Sequence, residues 1–142
     1  MRDIRAVAAI DDLTLLVVAV FAFSLFFASL AGAYVARRAD DRTRQLQDAA
    51  DSLLAAVMDG PRWTVAHGLL VASALDRISA SDLAGRASGH PFRVVIWDLE
   101  TSRIWTLSQD VAQGTRRTAA TSASVLGDRV DPARVTATVW AP

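Results

Sequence analysis

The 142 residues include 15 Arg, no Lys, 15 Asp plus Glu and no Cys, a length suited to one modest domain. Zero net charge removes the basic excess with which nucleic-acid binders engage phosphate. The missing cysteines exclude disulfides, thiolate metal sites and thiol nucleophiles, and two histidines, His67 and His90, are too few for a His-rich metal centre.

Residues 1–12, MRDIRAVAAIDD, form a short flank. From Leu13 to Ala36 the chain runs 24 residues without a charge. As a helix this segment extends about 36 Å, enough to cross a hydrocarbon core of about 30 Å with some tilt. It is also longer than the hydrophobic stretch of a secretory signal. Asp11 and Asp12 fence it on one side, Arg37 and Arg38 on the other. Charges cost roughly 2.5–3.5 kcal/mol each at a bilayer centre, so these pairs mark the ends of a span. Tyr34 suits the interface. Residues 13–36 are therefore expected to be a transmembrane helix, with Val17, Phe21, Phe26 and Leu30 facing neighbouring helices or lipid. Arg37, Arg38, Arg42 and Arg44 outnumber Arg2 and Arg5. That count favours a cytoplasmic C-terminal side, but long segments translocate largely regardless of charge.

No Pro or Gly falls between Ala33 and Asp59, so the helix is expected to continue as an amphipathic segment over 37–59. Leu46, Ala50, Leu53 and Val57 line one face at helical spacing, widened by Leu54 and Met58. Gly60-Pro61 terminates it. A second helix is predicted from His67 to Ser79, with Leu70, Val71, Ala74, Leu75 and Ile78 on its apolar side. A short turn through Leu83 and Ala84 extends the helical region over 67–84. Beyond Pro91 the period changes to two. Residues 92–97 and 103–107 read as a hairpin, 115–126 as a third strand, 127–132 as a turn and 134–140 as a last strand. The expected fold is α+β: a long N-terminal helix, a second helix and a small antiparallel sheet of three to four strands. Residues 37–142 form the extramembrane domain. The apolar stripe of the long helix is the natural cover for one face of the sheet.

No phosphate loop, dinucleotide fingerprint, HExxH or GxSxG occurs, so no catalytic residue, cofactor or metal ligand is assigned and an enzyme is not expected. Asp98 and Glu100 flank a hairpin turn, where turn chemistry accounts for them. Of the four tryptophans, Trp105 and Trp140 are candidates for contact with a partner.

Arg5-Ala6 precedes the apolar stretch, and Asp11 lies five residues beyond Ala6. This arrangement resembles the class III signal peptides of archaeal type IV pilins and pilin-like proteins. The layout is similar too: a basic leader, a hydrophobic helix, its amphipathic continuation and a sheet. Asp12, a second acid, and Val7 after the cut depart from the pattern. The resemblance implies cleavage between Ala6 and Val7 by a prepilin-type peptidase, placing Asp11 at the fifth position of the mature chain. An α-ammonium drawn among apolar helices is expensive unless paired, and a carboxylate there can neutralise that of a neighbouring subunit. It also implies a structural subunit or minor component of a filament or secretion machine in the cell membrane, with its C-terminal domain extracellular. Its partners would be membrane lipid and pilin-like subunits in a homo- or hetero-oligomer, with no nucleic acid. The alternative is an unprocessed membrane-tethered module that presents a small α+β domain to a protein partner.

Overall fold

The computed structural model describes residues 2–111 and 113–141, with side chains from Leu13 onward. The side chains of Arg5, Ala6, Val7 and Asp11, and with them the expected processing site, lie outside the described residues. The chain divides into two compact units, Met1–Asp41 and Arg42–Pro142. Helix α1 (Arg2–Met58) contributes to both.

Between Leu13 and Ala36 α1 is apolar on every side. Its large side chains from Leu13 to Val35 are 55–71% exposed. Apolar area in water costs about 25 cal/mol per Å², so leaving this surface in water is unfavourable. The helix is long and apolar enough to span a membrane. Within it the Ser24 hydroxyl donates to the Val20 carbonyl at 2.8 Å, a back-bond to the preceding turn. At the far end the Arg38 guanidinium lies 5.0 Å from the centroid of the Tyr34 ring, a cation–π pair at the expected interface.

In the second unit α1 becomes one-sided. Leu46, Ala49, Ala50, Leu53 and Val57 are buried at intervals of three and four, the stripe that the sequence pattern requires. The helix ends at Met58, ahead of Gly60-Pro61. Trp63 folds back so that its indole N–H donates to the Val57 carbonyl at 2.8 Å, satisfying one of the acceptors a helix end leaves open. Gly60 is necessary here because a Cβ would overlap the Trp63 indole.

The segment expected to be a second helix is organised differently. Thr64–Ala66 (β1) and Leu69–Val71 (β2) form a hairpin, and the helical content shrinks to Ala72–Leu75 (α2) and Ser81–Ala84 (α3). The cause is local. Gly68 takes φ +71°, a turn conformation that glycine tolerates. Its N–H donates to the Met58 carbonyl at 3.1 Å, while its carbonyl accepts from Ser124 N–H at 2.8 Å. Leu70 and Leu75 are both buried, one from a strand and one from a helical turn, so their spacing imitated a single helix face.

The remaining strands are Phe92–Asp98 (β3), Ile104–Gln109 (β4), Arg116–Leu126 (β5) and Val130–Trp140 (β6). The sheet has six strands in the order β1-β2-β5-β6-β3-β4, not three to four. It is also mixed, because β2 runs parallel to β5; all other pairs are antiparallel. The expected turn at 127–132 is shorter than its residues suggested, since Leu126 already pairs with Val130.

One face of the sheet carries Phe92, Val94, Ile96, Trp105, Leu107, Val125, Val135 and Val139. These form one buried cluster with the α1 stripe, and Leu75 and Leu83 join it. Alanines at 119, 133 and 137 keep the sheet surface low where a helix must approach, a volume match that close packing demands. The result is two layers, with the helices on one face of the sheet, while Trp97 and Ile104 on the other stay exposed.

Candidate functional site

Charged and apolar side chains gather in two regions of the second unit. The first is a hollow of about 430 Å³ at the β3–β4 turn, lined by Asp98, Thr101, Arg103, Trp105, Arg129 and Asp131 among others. Asp98 is the last core-facing residue of β3 and is 3% exposed. Its Oδ1 accepts the backbone N–H groups of Glu100 at 2.9 Å and Thr101 at 3.0 Å, an Asx turn that closes the hairpin. The Thr101 and Glu100 donors hold its carboxyl below the usual carboxylate range. Asp131 accepts from Arg129 Nε at 2.7 Å, and Arg129 reaches towards Glu100 at 3.8 Å.

At the rim of this hollow stands Asp76, just past α2. Its Oδ1 accepts from the Trp105 indole at 2.8 Å and from Arg103 at 2.6 Å, and the Arg103 guanidinium lies 4.8 Å from the Trp105 ring centroid. The indole donor first, then Arg103, lower the Asp76 pKa. Asp76, Asp98 and Asp131 are each committed to an N–H donor or a guanidinium. No group of three or more metal-ligating side chains occurs among the described residues. The cluster ties the β3–β4 turn to α2, so the turn reading of Asp98 and Glu100 describes its work.

The second region is the uncovered sheet face. Alternation and register place Ile104, Trp97, Arg134 and Ser122 side by side in one row across β4, β3, β6 and β5. Arg93 and Arg116 lie further along, and the four strands present no carboxylate on this face. Ile104 is 57% exposed, Trp97 43% and Leu99 47%. Together they are an apolar patch flanked by Arg134, of the kind that marks an interaction surface.

The candidate partner tryptophans are placed elsewhere. Trp105 and Trp140 are 8% and 5% exposed, so both rings are withdrawn from a partner. Trp105 is in the core cluster and bonded to Asp76, whereas Trp140 is covered by its surroundings on the outer side, with Arg93 5.9 Å from its ring centroid. The exposed ring is Trp97. Alternation along β4 sets Ile104 opposite Trp105. It could not say which side the helix would cover, because both carry large apolar groups.

In the first unit Val17, Phe21, Phe26 and Leu30 are all exposed. At about 100° per residue, Val17 and Phe21 share one side of α1, and Phe26 and Leu30 lie roughly opposite. The helix therefore offers two apolar faces to its surroundings rather than one seam. Comparison with known proteins gives no match to a family model, a curated protein or a solved structure.

Proposed function

We propose that this chain is a single-pass, membrane-anchored, pilin-like structural subunit or minor component of a type IV filament or secretion apparatus. One observation supports this reading above the others. Helix α1 carries a segment exposed and apolar on all sides, then continues without a break into the stripe at the centre of the second unit's core. A buried soluble helix would be covered along both parts. A subunit that resides in lipid and later packs among sister helices needs the first part bare and the second covered. The domain beyond the span is extracellular in this reading, and the partners are lipid, pilin-like subunits and a prepilin-type peptidase acting between Ala6 and Val7.

The test is the mass of the membrane-bound protein in cells with and without an active prepilin-type peptidase. Loss of Met1–Ala6 only when the peptidase is present supports the proposal. Retention of Met1–Ala6 in both removes it and leaves an unprocessed tethered module. Release of the full chain by carbonate without detergent removes both.

A further inference from the structure

The second unit has two unlike surfaces on opposite sides of its two layers. On the sheet side Ile104, Trp97 and Leu99 project beside Arg134, and the outward charges of β3–β6 are the arginines 93, 116 and 134. On the helix side lies a hollow of about 550 Å³, floored by the small residues Ser52, Ala55 and Ala56 and edged by Asp59 and Asp82. From Gln45 to the end of α1 at Met58 the only charges are the exposed carboxylates Asp48 and Asp51; Asp59, just past the helix, pairs with the His67 imidazole. The far wall adds two arginines: Arg62 is tied to Asp82 at 3.2 Å, and Arg86 also lines the hollow. One side thus offers an apolar projection with positive charge. The other offers a recess, left open because its residues are small, whose own two carboxylates and two arginines balance, with the carboxylates Asp48 and Asp51 on the same helix.

We infer that the Trp97–Ile104 projection of one copy docks into the Ser52–Ala55–Ala56 hollow of a second copy, with Arg134 set against the α1 carboxylates. The two contacting surfaces differ, so the contact is heterologous. It leaves an unused projection at one end and an unused hollow at the other, and it propagates unless rotation closes a ring. Opposite charges fix orientation and register, while the desolvated aromatic in the recess supplies affinity. The inference deepens the subunit reading and rests on it for the claim that copies meet in the membrane.

The chain has no cysteine, which makes disulfide trapping clean. Ile104→Cys and Ala55→Cys are placed in separate full-length chains, expressed together in membranes and oxidised. Both sites are exposed, and equal protease resistance to the parent chain verifies folding. The expected result is a linked dimer in the mixture and none with either variant alone. When both substitutions sit in one chain, a ladder of multimers forms. Adding Arg134→Glu reduces linkage about tenfold or more, because like charges then face each other.

No linkage in the mixture of folded chains overturns the inference, as does a dimer from Ile104→Cys alone, which would mean sheet-to-sheet pairing. The mass of the mature chain is read in the same samples. Processed chains without linkage sink the docking surface and spare the subunit reading. Linked but unprocessed chains keep the docking and sink the pilin-like reading.

Discussion

Gly60 shows how a single position can hold an element boundary. The indole of Trp63 occupies the space where a side chain at 60 would begin, and that indole satisfies the Val57 carbonyl. Gly60→Ala must push the ring off this acceptor, and overpacking of this kind costs about 1–3 kcal/mol. Gly85, around which a Cβ meets nothing within 4 Å, is the control. Denaturant unfolding should show a clear loss of stability for Gly60→Ala and little change for Gly85→Ala. Carboxylates act at the same scale. Asp76, Asp82 and Asp98 have lowered pKa values, through the Trp105 indole, the Ser79 N–H and the Thr101 N–H respectively as the leading causes. A folded pKa below the unfolded one means that folding favours the ionised form. The resulting stability is fully present above the unfolded value of about 3.9 and is lost as pH falls through the lower folded values. The denaturation midpoint should therefore drop on acidification below roughly pH 4. Asp76→Asn should show a shallower drop than the parent chain.

At the scale of elements, the first half of α1 is defined by what it lacks. Placing one arginine in its middle, Phe21→Arg, should raise the cost of insertion by roughly 2.5–3.5 kcal/mol. The carbonate-resistant fraction of the chain should fall accordingly, whereas Thr136→Arg on the sheet should leave it unchanged. The second half of the long helix, β4 and the last strand were legible because each obeys one period, and β3 because its residues are β-formers; β5, RRTAATSASVL, shows no such alternation and read only as a weak strand. Leu46, Leu53 and Val57 repeat at helical spacing, and Val135, Ala137 and Val139 at strand spacing. The β1–β2 hairpin was not legible. Its strands are three residues each, too short to establish a period, and Leu70, Val71, Ala74 and Leu75 fit a helix equally well. The informative signal was Gly68 in the dipeptide after Ala66, whose positive φ reverses the chain.

For the whole molecule, the two-layer arrangement followed from the need to bury one sheet face, and the partner helix could be named from its stripe alone. Strand order could not be. Pairing β2 with β5 joins Leu70 to Val125 across most of the second unit, and no local pattern encodes a contact so distant. The same gap explains why the candidate surface was misplaced. The period divides Trp97 and Ile104 from Trp105, but only the completed sheet decides which set the helix covers.

That distant pairing has a consequence for the order of events during synthesis. The stripe on α1 leaves the ribosome well before its cover, which includes Val125 and Val139. The β3–β4 hairpin closes locally and early, whereas β2 cannot join its neighbour until β5 exists, a costly loop to close. For much of translation, then, Leu46, Leu53 and Val57 lie bare beside a growing chain. The apolar segment that precedes them, long enough to span a membrane, is synthesised earlier still, before the rest of the protein has anything to fold against.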